Sequence, residues 1–157
     1  MPDGSKSSAQ DTAHHLMFIS GYVHRLLRYE ARNLGMRWTA LMVLKDLQLL
    51  GPVSQRVLAD IEQVSAPTMT VLIRQMESRG WVRQKDDAND ARVSQVTLTP
   101  AGKKELKRSG GLLRQRLENE LSDVPARVLA RLQEDLGVLS ATIMKRIHGN
   151  TELKELT

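Results

Sequence analysis

The chain contains no cysteine in 157 residues. That excludes disulfides, thiolate metal sites and any cysteine-based redox switch. Aromatic residues make up only 3% of the sequence, too few for a platform on which single strands or RNA bases stack. No apolar run is long enough to span a bilayer, and residues 1–10 are polar, without the apolar core of a signal peptide. The expectation is a cytoplasmic protein, not membrane-bound, with a disordered tail over residues 1–10. No glycine-rich phosphate loop or Ser/His/Asp pattern is present. The sequence therefore predicts no enzyme, no catalytic residue and no cofactor. The four histidines, His14, His15, His24 and His148, match no established metal-ligand spacing. A metal-responsive regulator, with His14 and His15 meeting His148 or His24 across a dimer, stands as a rival reading.

What the chain does have is positive charge. Its 23 Lys and Arg against 18 Asp and Glu give a net of +5. That balance favours a polyanionic partner, nucleic acid before anionic membrane, although a merely basic solvated surface has the same composition. The length suffices for one domain with a real core.

In order along the chain, Asp11 or Thr12 can cap a first helix reaching about Asn33, with Leu16, Ile19, Val23, Leu26 and Leu27 on its apolar side. Thr39 can cap a second helix from Ala40 to about Leu50, stopped by Gly51-Pro52. Ser54 caps a short third helix to about Glu62. Ser65 caps a fourth, with Pro67 in its first turn. There Met69, Leu72, Ile73 and Met76 follow helical spacing and form the core face. Pro67, Thr70, Val71, Arg74 and Ser78 lie opposite, and Gly80 ends the helix. Two short helices joined this tightly form a helix-turn-helix candidate.

Two strands follow, with Val82, Val96 and Leu98 alternating with polar neighbours around the charged loop 86–92. Thr99 and Pro100 then start a helix to about Leu121, with a bend expected at Gly110-Gly111. A break at Ser122 to Pro125 precedes a last helix, Ala126 to about His148, whose apolar stripe includes Leu132, Leu136, Leu139 and Ile143.

The fold class is mainly α with a small β-hairpin wing: a winged helix-turn-helix flanked by N- and C-terminal dimerisation helices. The divisions are a tail over 1–10, an N-terminal dimerisation helix over 11–35, a DNA-binding region over 36–102, C-terminal dimerisation helices over 103–148, and a tail over 149–157. The outer apolar stripes are expected to pack on a second copy, giving a homodimer.

This layout suits double-stranded DNA. Ser54, Ser65 and Thr68 sit where hydroxyls and free N–H groups at helix starts hold phosphate. Pro67, Thr70 and Val71 are small enough for apolar contact with thymine methyls, and Arg74 can pair with guanine or hold phosphate. Arg83 is a phosphate neighbour on the first wing strand. Arg92, at the wing tip, suits a narrow minor groove, with Asp87 and Asp90 bracing the loop. His24, Arg28, Arg37 and Trp38 combine an aromatic with cations and form the candidate effector pocket for an organic acid.

Four stretches carry a family resemblance: Val64-Ser65-Ala66-Pro67-Thr68-Met69-Thr70, Met76-Glu77-Ser78-Arg79-Gly80-Trp81-Val82, Asp87-x-x-Asp90-x-Arg92 and Val96-Thr97-Leu98-Thr99-x-x-Gly102. Together they resemble the MarR family of bacterial transcription regulators, in helix order over residues 12–148. The resemblance implies a triangular homodimer joined by its first and last helices. The helix from Ser65 would enter the major groove of a pseudo-palindromic operator, and the wing would reach the minor groove. It also implies a repressor released by a small, often aromatic or phenolic, ligand. Val71, Arg74 and Gln75 depart from the residues common at their positions, so operator preference does not carry over. The lack of cysteine sets aside the peroxide-sensing branch. An architectural DNA binder without an effector is the remaining alternative.

Overall fold

The computed structural model describes residues 4–86 and 94–149. Its elements in chain order are α1 (Gly4–Asn33), α2 (Trp38–Leu50), β1 (Val53–Ser54), α3 (Gln55–Ile61), α4 (Ala66–Ser78), β2 (Val82–Asp86), β3 (Ser94–Leu98), α5 (Pro100–Glu120) and α6 (Ala126–Gly149).

The core forms where α2, α3 and α4 turn their apolar faces together. Leu44, Leu58, Met69, Ile73 and Met76 are fully buried there, and Val82 and Val96 extend the same core under the sheet. Ala59 is buried between α3 and α4, its small side chain letting the two helices approach closely. Met69, Leu72, Ile73 and Met76 recur at the spacing that puts them on one side of a helix, and all four are buried.

The helix ends follow their local chemistry. Gly35, Gly51 and Gly80 adopt positive φ, the conformation that a side chain would penalise. Ser54 accepts from the Val57 N–H and Ser65 from the Thr68 N–H, both at 3.3 Å. Thr99 accepts from the Gly102 N–H at 3.0 Å.

Several expectations are corrected. Residues 4–10 continue α1 rather than forming a tail; Lys6, Ala9 and Gln10 favour helix and no proline intervenes. Asp11 and Thr12 are therefore interior, and the Thr12 hydroxyl donates to the Ser8 carbonyl. Thr39 does not cap α2. Arg37 is the extended residue before that helix, without a side-chain cap bond. The tight turn that bonds the Met36 N–H to the Ala31 carbonyl brings the chain into helix at Trp38. The wing is more than a hairpin: β1 joins it, giving a three-stranded antiparallel sheet in the order β1-β3-β2. Val53 pairs with Val96 and Val82 with Leu98, so the apolar positions share one face. Apart from these corrections, α5 is one continuous helix that includes Gly110-Gly111.

The long helices extend from this core. Arg116 of α5 donates to Glu30 of α1 at 3.0 Å, tying the two together. On α1, Met17, Phe18, Ile19 and Tyr22 are exposed, as are Val128, Leu132, Leu136 and Ile143 on α6. Within the chain these two apolar stripes do not cover one another. No helix among the described residues is long and apolar enough to cross a membrane.

Candidate nucleic-acid interface

The outward face of α4 is built by the same spacing that buries its inner face. Ser65, Pro67, Thr68, Val71 and Arg74 are exposed and Thr70 is half-exposed. At the start of the helix the Ser65 and Thr68 hydroxyls lie 2.8 Å apart. They border the backbone N–H groups that the first helical turn leaves free, so the positive end of α4 opens to solvent. Arg74 has no ion-pair partner among the described residues, which leaves its guanidinium available. Ser54 is less available: it is half-buried, belongs to β1, and turns its oxygen to the α3 backbone.

On the wing, strand alternation sends Arg83 and Lys85 outward while Val82 and Gln84 face in. Arg92, Asp87 and Asp90 lie outside the described residues. The exposed cations that can be placed are thus Arg74 on α4 and Arg83 and Lys85 on β2.

Polar side chains that drew no attention in the sequence hold the wing to α4. Glu77 accepts the Gln84 backbone N–H at 3.1 Å and the Gln84 amide at 3.3 Å. The edge strand β2 is thereby closed on its open side. Gln84 also accepts from Gln55, and Gln55 from Thr70. One signal was readable: Gln84 falls on the apolar face of its strand, where a polar group needs a partner.

His24, Arg28, Arg37 and Trp38 do come together. They line a cavity of about 460 Å³ with Arg32, Thr39 and Glu62. The His24 ring stands edge-on to Trp38 at 5.5 Å. Arg28, Arg32 and Arg37 have no ion-pair partner among the described residues. Glu62 is the acid in this wall, and its pKa is pushed up to about 7 by burial first and then by Asp46. Burial raises Asp46 as well, and one Asp46 oxygen is buried without a donor among the described residues. A proton held between the two carboxyls answers both facts. The cavity is therefore more positive below neutrality than above it, and chemically suited to an anion with an aromatic part.

A second cavity, of about 270 Å³, opens between the α1–α2 turn and α4. Arg79, missed from the sequence, borders it: it stacks on Trp81 at 4.8 Å and donates to the Gly35 carbonyl at 2.9 Å. On the rival metal reading, no group of three or more His, Cys, Asp or Glu among the described residues is placed to hold an ion. The His148 side chain lies outside them.

Comparison with known proteins agrees with this architecture. Residues 36–94 match the sequence model of the MarR family. The chain is similar to YwaE of Bacillus subtilis, an uncharacterised HTH-type transcriptional regulator, with 30% identity over 69 residues. That match covers 44% of this chain and 40% of YwaE, so the chain spans about two fifths of that relative's length. Its fold is similar to that of the transcriptional regulator Tm0710 from Thermotoga maritima, at a TM-score of 0.71 and 19% identity, covering 88% of this chain and 98% of the other. It is likewise similar to wild-type MarR from E. coli in its apo form, at 0.73 and 21%, covering 81% and 94%. The matched segment runs from the start of α2 to the start of β3 and holds the helix-turn-helix, and the fold likeness extends over the flanking helices: the chain has the winged helix-turn-helix fold, with a central segment similar to the MarR family.

Proposed function

We propose that the chain is a cytoplasmic, homodimeric, sequence-specific DNA-binding regulator, and that it represses transcription until a small organic anion releases it from DNA. The observation that carries this reading is the outer face of α4. It combines an open positive helix end, small side chains and an Arg74 that has no ion-pair partner among the described residues with Arg83 and Lys85 on the adjoining wing. α4 would lie in the major groove with Pro67, Thr70, Val71 and Arg74 toward the bases. Ser54, Ser65, Thr68 and Arg83 would hold phosphate. Arg92 would enter the minor groove, braced by Asp87 and Asp90.

The uncovered stripes of α1 and α6 support the dimer, because a twofold protein reads a pseudo-palindromic site with two α4 helices. The cavity of His24, Arg28, Arg37 and Trp38 supports the effector. It lies between α1 and the start of α2, and Glu62, in the turn leading to α4, forms part of its wall. An anion there can couple the dimer helices to the reading helix. Nothing in the reading requires catalysis.

Anisotropy titration of the purified protein against its own upstream intergenic DNA tests the proposal, beside a scrambled duplex and at two salt concentrations. Tighter binding to the native duplex, weakened by salt and by Arg74→Ala, is expected. Equal weak binding to both duplexes would favour an architectural protein, and no binding at low salt would refute DNA reading by the unliganded chain.

A further inference from the structure

Four polar side chains meet where α3, α4 and β2 converge. Glu77 accepts from the Gln84 backbone N–H and from Gln84 Nε2. Gln84 Oε1 accepts from Gln55 Nε2. Gln55 Oε1 accepts from the Thr70 hydroxyl at 3.1 Å, and that hydroxyl is also 3.0 Å from the Ala66 carbonyl.

The direction of the whole chain follows from its acidic end. An ionised carboxylate only accepts, so Gln84 must turn its NH₂ toward Glu77 and its oxygen toward Gln55. Gln55 must then turn its own NH₂ toward Gln84 and its oxygen toward Thr70. Thr70 has one hydroxyl proton, and both Gln55 Oε1 and the Ala66 carbonyl demand it. The proton is committed inward, and only lone pairs remain on the side of Thr70 that faces out from α4.

We infer that Glu77, acting through Gln84 and Gln55, makes Thr70 a hydrogen-bond acceptor that selects the amino group of adenine or cytosine in the major groove. This rests on the DNA-reading function proposed above. In the major groove adenine N6 and cytosine N4 are donors, whereas guanine O6 and thymine O4 accept. Each base pair shows one such amino group, so an acceptor at Thr70 decides which strand carries it. A second acceptor facing Thr70 would find no proton. Contact between the Thr70 methyl and a thymine methyl would select the opposite base, so the two contacts predict different sequences. Glu77 lies two helical turns from Thr70 and is a positioning residue here, not a base contact.

Selection from a pool of randomised duplexes tests this, using the full chain and the variants Thr70→Val, Thr70→Ser and Glu77→Gln. Thermal unfolding confirms that each variant is folded. The parent should enrich a motif with one position per half-site at which adenine or cytosine is preferred by roughly tenfold over guanine or thymine. Thr70→Val should flatten that position alone, and Thr70→Ser should retain it. Glu77→Gln should flatten it too: the Gln84 backbone N–H holds the new amide's oxygen, its NH₂ then faces Gln84, and the chain reverses so that Gln55 donates to Thr70 and no longer draws its proton. Thymine or guanine at that position, or a preference that survives Thr70→Val or Glu77→Gln, would overturn the inference while leaving DNA reading intact. A parent that enriches no motif would overturn DNA reading itself, and this inference with it.

Discussion

Gly102 illustrates how much one residue constrains the wing. A Cβ at this position would stand 2.1 Å from the Trp81 carbonyl oxygen and 2.7 Å from Leu98 Cδ1. The first contact is backbone and cannot swing aside. Gly102→Ala should therefore destabilise the domain by about 1–3 kcal/mol, read from the urea midpoint at an unchanged slope. Gly110 and Gly111 are the contrast: a Cβ at either meets nothing within 4 Å. Replacing each with alanine should stabilise α5 by about 0.5–1 kcal/mol, raising the same midpoint. At this scale the sequence was partly legible. Ser54, Ser65 and Thr99 announce themselves as caps because their side chains act within one helical turn. Gln55 and Glu77 did not, since their bonds join different elements and nothing local distinguishes them from solvated polar groups; Gln84 gave only its place on the apolar face of its strand. His24 and Trp38 were suspected on residue type alone; their meeting depends on how α1 crosses α2.

Elements were read best where periodicity is long. The apolar faces of α4 and α6 follow directly from spacing, whereas β1, two residues long, has no periodicity to detect and exists only because β3 pairs with it. The packing of α2 on the helix-turn-helix adds a titrating contact that no sequence pattern indicates. Glu62, at the end of α3, is raised from 4.5 to about 7 by burial and by Asp46, with Lys45 opposing. A carboxyl with a raised folded-state pKa contributes stability that is fully present below its ordinary value of 4.5 and lost as pH rises through about 7. The thermal midpoint should therefore fall between pH 6 and pH 8, by about 2–4 °C. Glu62→Gln supplies the proton permanently and should remove most of that slope. A wild-type midpoint flat over this window, measured by circular dichroism, would contradict the shared proton.

At the scale of the whole molecule the unsolved surface is apolar. Met17 is 76% and Phe18 61% exposed on α1, and Leu132 and Leu136 are more than 40% exposed on α6. Stripes of this kind are covered by a partner in a soluble protein, and the proposed partner is a second copy. Leu132→Glu with Leu136→Glu should convert the proposed dimer to monomer, read by light scattering. It should weaken DNA binding by at least tenfold, because each monomer retains only one reading head. The stripe was legible in the sequence; its destination was not, since an amphipathic helix records that it packs and not on what. The most direct test of the central claim is a hydroxyl-radical footprint of the protein on its own upstream intergenic DNA. A symmetric dimer reading through α4 predicts two protected half-sites related by a twofold axis, with centres about one helical turn, or a multiple of it, apart. Protection of a single half-site, or uniform weak protection along the duplex, would contradict it.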